Sequence, residues 1–228
     1  MTKTFLVLGD SWSQGEIELQ QEQHVVVHQG LAQYLKDDGH KVINGGGLGW
    51  SNKTALEKCK ELYTPDVDHI IWFVTDSLRD LTEQEYIEQL RNRNSIRQVV
   101  LDNHNKIYKE FDQLGIPIYL IGGWAPVLPN VSDYKNLKVL INCLHEYFVP
   151  GSQVSLFNSA VTLLEHVKQS ARHHPTPEVM QEVIELIDED AHALMIRKDN
   201  PNWFYPDNNH ANRHGHRRIY EHIQEVML

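Results

Sequence analysis

Phe5-Leu6-Val7-Leu8-Gly9-Asp10-Ser11-Trp12-Ser13-Gln14-Gly15 is the stretch that decides the fold. Four consecutive apolar residues, one aromatic and one β-branched, suit a strand covered on both faces. Gly9 ends the run, and a turn of small residues follows. Open α/β sheets bind their ligands beyond the carboxyl ends of the strands, so the turn offers the Ser11 hydroxyl at such an edge. Ser11 is a candidate nucleophile. Asp10 and Ser11 are equally the residue types that make turns and cap helices. A base and an oxyanion site elsewhere in the chain would decide between the two.

Outward from this stretch, strand and helix alternate. Residues 16–22 are polar and carry no clear period. Residues 25–38 predict a helix with Leu31, Tyr34 and Leu35 on one face, ended by Gly39. A second strand, residues 40–44, runs into Gly45-Gly46-Gly47-Leu48-Gly49-Trp50-Ser51. That cluster lacks both the Lys-Ser/Thr ending of a phosphate loop and a dinucleotide spacing. It reads as a turn that lets backbone approach a ligand closely. Residues 52–63 predict a helix capped by Ser51 or Asn52 and stopped by Pro65. Residues 69–75 form a continuously apolar, hence central, strand, with Asp76-Ser77-Leu78-Arg79-Asp80 beyond it.

Further on, residues 83–113 predict helix, broken near 92–94. Residues 118–121 predict a fourth strand leading into Gly122-Gly123-Trp124-Ala125-Pro126. Residues 137–145 are expected to be helical and 154–157 a fifth strand. Residues 160–172 and 177–197 read as helices of an insertion spanning about 130–200. A loop rich in Asn, Asp and Pro follows, and then a last helix from Gly215 to Met227. Repeated βαβ units imply right-handed crossovers and an α/β class: a three-layer α/β/α sandwich on a central parallel sheet of about five strands. The 228 residues fit one domain, 1–228.

Composition narrows the function classes. A chain of this length buries roughly 70% of its unfolded surface and needs no metal or disulfide to fold. The net charge of −10 argues against a nucleic-acid or anionic-membrane surface. The two cysteines, Cys59 and Cys143, are expected to be free thiols in a reducing compartment. The first strand leaves no room for a signal sequence, and no apolar run approaches spanning length, so a cytoplasmic protein is expected.

The chemistry-bearing constellation lies near the far end, in Tyr205-Pro206-Asp207-Asn208-Asn209-His210-Ala211-Asn212-Arg213-His214-Gly215-His216. Asp207 and His210 are three residues apart beside a predicted helix start. In so tight a turn a carboxylate can reach one imidazole nitrogen and leave the other to take a proton from a serine. A helix-capping pair is the alternative reading. His210, His214 and His216 suggest a metal cluster, but His214 and His216 point in different directions on a helix and no cysteine or carboxylate completes a tetrahedron. No metal is expected.

Together these motifs resemble the SGNH, or GDSL-type, hydrolases. Gly9-Asp10-Ser11-Trp12-Ser13 is similar to the family's first block, and Asn44-Gly45-Gly46-Gly47-Leu48-Gly49 to its second. Val74-Thr75-Asp76-Ser77-Leu78-Arg79 falls where its Gly-x-Asn-Asp block belongs. Asp207 through Asn212, with Gly215-His216, is similar to its Asp-x-x-His block. The resemblance implies a flavodoxin-like fold and an ester hydrolase without a cofactor. It makes Ser11 the nucleophile, His210 the base, Asp207 its orienter, and the Ser11 and Gly49 N–H groups oxyanion donors. The family's third donor is an Asn side chain; here the aligned residue is Thr75. Three readings follow: Thr75 donates, Asn52 fills in, or the hole is impaired.

Trp12, Trp50 and Trp124 each follow a predicted strand end and are expected, with Asp76, to rim a substrate site. Arg79 is expected near the same rim, as an anion contact or a surface ion pair. Aromatic rims suit sugar rings and acyl groups, so a small-molecule or carbohydrate ester, such as an O-acetyl ester, is the expected substrate. An inactive binding module on the same fold, or an acyltransferase using the same triad, are the alternatives. The oligomeric state is not written in the sequence.

Overall fold

The computed structural model describes residues 2–21, 23–82, 84, 85, 88, 96–123, 126–152, 181, 195, 198–204 and 210–227. The opening stretch forms β1 (Thr4–Gly9), every residue of which is buried. Parallel partners flank it on both sides. With β4 (Lys41–Gly46), β5 (His69–Val74), β6 (Ile118–Gly122) and β7 (Leu137–Ile141) it makes a five-stranded sheet in the order β4-β1-β5-β6-β7. All neighbouring pairs are parallel, with Val7 beside Asn44 on one side and Ile71 on the other.

Alternation along β1 supplies two cores. Phe5 and Val7 point to one face, with Ile71, Phe73, Ile121 and Ile141. Helices α2 (Gly30–Asp37) and α6 (Arg213–Met227) cover that face through Leu31, Ala32, Leu35, Ile219 and Ile223. Leu6 and Leu8 point the other way, with Ile70, Trp72 and Val74. There α3 (Asn52–Leu62) and α4 (Ile96–Asp112) supply Ala55, Cys59, Ile107 and Phe111. Each fully buried aliphatic side chain stabilises the fold by about 1.5–3 kcal/mol relative to exposure. The three-layer α/β/α arrangement follows from this two-sided burial.

Strand order also locates the site. The chain moves from β1 to one neighbour, β4, and then to the other, β5. The crossovers therefore diverge at the carboxyl ends of β1 and β5, the switch point where such sheets open a crevice. Ser11 follows one of those ends and Thr75 the other.

Several expectations are corrected. A hairpin, β2 (Glu16–Gln20) and β3 (Gln23–His28), stands where helix was expected from residue 25. Three consecutive valines, Val25 to Val27, favour an extended backbone, and Gln21 at φ +49 makes the turn. Residues 137–145, expected as helix, are β7 followed by a short helix, α5 (Leu144–Phe148). The sheet thus takes its fifth strand from 137–141, where Leu137 and Ile141 are buried and Lys138 exposed. The expected strand at 154–157 and the expected helix at 160–172 lie outside the described residues, as does most of 177–197. Among the described residues no helix is long and apolar enough to cross a membrane. Cys59 and Cys143 are buried and not joined in a disulfide, and burial raises the Cys59 thiol to about 12.

Candidate active site

The site begins at Gly9. Its φ is +137°, and a Cβ there would stand 2.5 Å from the Phe73 carbonyl oxygen. Only glycine lets β1 press so closely on β5 and then turn sharply. Asp10 caps the single-turn helix α1 (Ser11–Gln14): its Oδ1 accepts from Trp12 N–H at 3.0 Å. The Asp10 carbonyl accepts from Ser13 N–H at 3.1 Å and Ser13 Oγ at 2.7 Å. Those bonds satisfy the second and third amides of the turn. The Ser11 N–H is left without an acceptor in it, beside its own hydroxyl, in a residue only 6% exposed.

The glycine-rich loop is drawn onto this turn. Asn44 Nδ2 donates to the Ser13 carbonyl at 3.3 Å and Gly47 N–H to the Gly9 carbonyl at 3.2 Å. A Cβ on Gly46 would meet Ser13 Oγ at 2.0 Å. The loop then exposes Gly49, at φ +67°, with open space around its α-carbon. Trp50 is half-buried and lies along Gly47, with Lys58 Nζ 5.9 Å from its ring centre.

Across the switch point, Thr75 and Asn52 take roles other than those expected. Thr75 Oγ1 donates its one proton to Asp10 Oδ2 at 2.5 Å. It is therefore not a direct oxyanion donor, because a hydroxyl has no second proton to offer. Asn52 is fully buried and clamps the Thr75 backbone, Nδ2 to the carbonyl at 3.0 Å and Oδ1 from the N–H at 3.0 Å. Its other amide proton goes to Asp80 Oδ2 at 2.9 Å, so neither remains for an oxyanion.

Asp76 is completely buried and caps the 3-10 turn Ser77–Asp80, accepting from Leu78 N–H at 2.8 Å. It is a cap rather than a substrate contact. Trp12 is also corrected: it is 0% exposed, in the core, against His145 at 6.1 Å and Phe204 at 6.2 Å between ring centres. A helix that starts at the sheet edge turns its second residue inward.

The C-terminal segment is brought to α1 by its apolar residues. Phe204 rests on Trp12 and pairs through its backbone with Ala211. His210, 7% exposed, precedes that bridge, and its ring is 6.4 Å from that of His24 on the hairpin. Among the described residues no hydrogen bond joins Ser11 to His210, which has other interactions. Asp207 and Trp124 lie outside the described residues.

His214 is exposed and His216 buried, as divergent positions on a helix require. The His216 ring lies against Gly30, with the Gly15 backbone close by. Burial pushes its pKa down to about 4. Among the described residues no group of His, Cys, Asp or Glu is placed to hold a metal ion.

Two features escape the sequence. One is the hairpin that carries His24 toward His210. Its signal was the β-branched run at 25–27. The other is the partner of Arg79, expected at the rim as an anion contact or a surface ion pair: its Nη1 lies 3.2 Å from Asp10 Oδ2 and 3.3 Å from Thr75 Oγ1. No local pattern announces a contact across 69 positions.

No family model matches the chain, and no curated protein does. Among solved structures it is similar to AlinE4, a SGNH-hydrolase family esterase, at 18% identity over 75% of this chain and 94% of that one, TM-score 0.38. It is also similar to the YXIM protein of Bacillus subtilis, at 13% identity over 99% of this chain and 56% of that one, TM-score 0.43.

Proposed function

We propose that the chain is a serine esterase of the SGNH type, hydrolysing a carboxylic ester through an acyl-enzyme on Ser11. The observation that carries this reading is the turn after β1. A buried serine opens a helical turn at the sheet's switch point, and its own N–H has no acceptor in that turn. Nucleophile and oxyanion donor are thus offered by one residue.

In the proposed reaction Ser11 Oγ attacks the ester carbonyl while His210 takes its proton, and Asp207 holds the imidazolium that forms. The Ser11 and Gly49 N–H groups receive the oxyanion. Collapse breaks the bond to the alcohol, which leaves with the proton from His210. Water then attacks the acyl-enzyme by the same path reversed, regenerating Ser11 and releasing the acid. A short acyl group such as acetyl is the proposed substrate portion, with the half-exposed Trp50 available to a sugar ring or an alkyl alcohol.

One observation favours a second reading. The Thr75 hydroxyl and both Asn52 amide protons are committed elsewhere, so the proposed hole rests on backbone donors. One such donor is typically worth about 2.7–4 kcal/mol in the transition state. A slow esterase or a binding module would both suit a hole lacking its side-chain donor. Incubation of wild type and Ser11→Ala with a fluorophosphonate probe and p-nitrophenyl esters separates them. Labelling and turnover that vanish in Ser11→Ala support the esterase; an unlabelled, inactive wild type supports the binding module. Turnover that shifts to transesterification when acceptor alcohols are added would make the protein an acyltransferase.

A further inference from the structure

Asp10 is 2% exposed, and a buried carboxylate needs both hydrogen bonds and a counter-charge. Its Oδ1 is used to cap α1 and its Oδ2 receives the Thr75 hydroxyl. The counter-charge comes from Arg79, whose Nη1 bridges Asp10 Oδ2 and Thr75 Oγ1. Arg79 is itself largely covered, with 23% of its side chain exposed.

The turn that carries Arg79 is held at both ends. Asp76 caps it from the β5 side. At its other end Asp80 binds Asn52 Nδ2 at 2.9 Å and Lys53 N–H at 2.9 Å, tying it to the start of α3. His104 lies against the same carboxylate at 3.8 Å. The guanidinium is thus delivered from a fixed base to the residue immediately before the candidate nucleophile.

We propose that Arg79 is a positioning residue for the reaction at Ser11. By pinning the Asp10 carboxylate against the Thr75 hydroxyl, it fixes the first turn of α1 and with it the Ser11 hydroxyl and N–H. The inference rests on the esterase reading for its catalytic consequence, though not for its structural one. Both contacts come from the single nitrogen Nη1, so a lysine ammonium, a point charge on a flexible stem, can replace them in part.

The test has two independent measurements on the full chain. The first is amide hydrogen exchange. In Arg79→Ala the Trp12 and Ser13 amides should exchange at least about 10-fold faster, while those of Ile70 to Val74 stay unchanged, as expected for local opening. The second is ester turnover. Arg79→Ala should lose about 20-fold or more in kcat with KM within about 2-fold, and Arg79→Lys should recover part of it. Guanidinium ion at about 20 mM should restore activity to Arg79→Ala, since that ion supplies the missing charge and N–H donors. In an Asp10→Asn background, Arg79→Ala should add less than about 2-fold, because residues acting through one another are not additive.

Unchanged exchange at Trp12 and Ser13 overturns the proposal, as does an effect confined to KM, which would make Arg79 a substrate contact. A wild type that neither labels nor turns over overturns the esterase reading and the catalytic half of the inference, while exchange still reports whether Arg79 holds the turn.

Discussion

The Thr75 hydroxyl donates to Asp10 Oδ2 at 2.5 Å, joining the end of β5 to the residue before Ser11. This bond moves Thr75 from the oxyanion to the scaffold. Thr75→Val keeps the shape and deletes the donor, and a hydrogen bond to a charged group is worth about 1.5–3 kcal/mol. The expected result is a Tm lower by about 4–8 °C together with reduced kcat. A variant with unchanged Tm and a pure kcat loss would return Thr75 to the oxyanion, and scanning calorimetry beside steady-state kinetics decides.

Asn52 contributes more to the scaffold than to chemistry. Asn52→Leu is close in volume but strands the Thr75 N–H and carbonyl and removes a donor from Asp80. Buried groups left unpaired cost about 1–3 kcal/mol each, so a loss of about 3–5 kcal/mol is expected after partial relaxation. Urea unfolding followed by tryptophan fluorescence should show a lower midpoint with an unchanged slope.

Gly9→Ala should be severe for its size. The added methyl would sit 2.5 Å from Phe73 O and 2.8 Å from Phe73 Cβ, on a backbone at φ +137°. Strain and overpacking together suggest about 3–4 kcal/mol, or a Tm drop of about 10 °C. A drop smaller than about 3 °C would mean that β1 and β5 separate easily at this point.

Acid stability should be governed in part by His216. Burial lowers its pKa from 6.5 to about 4; the nearby Gly15 backbone opposes this, while His28 and His210 add to it. As the pH falls below 6.5 the unfolded chain takes up the proton first, whereas the folded protein does so only near pH 4. The unfolded state binds more protons across that window, so stability decreases with acid there. The penalty is absent at neutral pH and reaches about 3 kcal/mol once the pH is below the folded value, one unit being about 1.4 kcal/mol. His216→Leu should therefore shrink the difference between Tm at pH 7 and at pH 4.5 by about 5–10 °C. Parallel Tm–pH curves for the variant and wild type would refute this.

The parallel sheet and its helices were legible because burial on two faces writes itself as unbroken apolar runs: Phe5 to Leu8, Ile70 to Val74 and Ile118 to Ile121 need no partner to be recognised. Ser11 was legible for the same reason, as the first hydroxyl after such a run. The hairpin at 16–28 and strand β7 were not. Residues 25–38 and 137–145 have apolar spacings that a helix also satisfies, and only pairing with a neighbouring strand settles the period. Nor were the roles of Thr75, Asn52 and Arg79 legible. Each depends on which group lies opposite in space, at separations of 23 to 69 positions for the Asn52–Thr75 and Arg79–Asp10 contacts. Sequence by itself determined where the sheet lies and which serine stands at its edge, since hydrophobic burial is read locally. Tertiary structure alone decided that Thr75 and Arg79 serve Asp10, because a hydrogen bond or an ion pair is a property of distance, and distance is set only when the strands have come together.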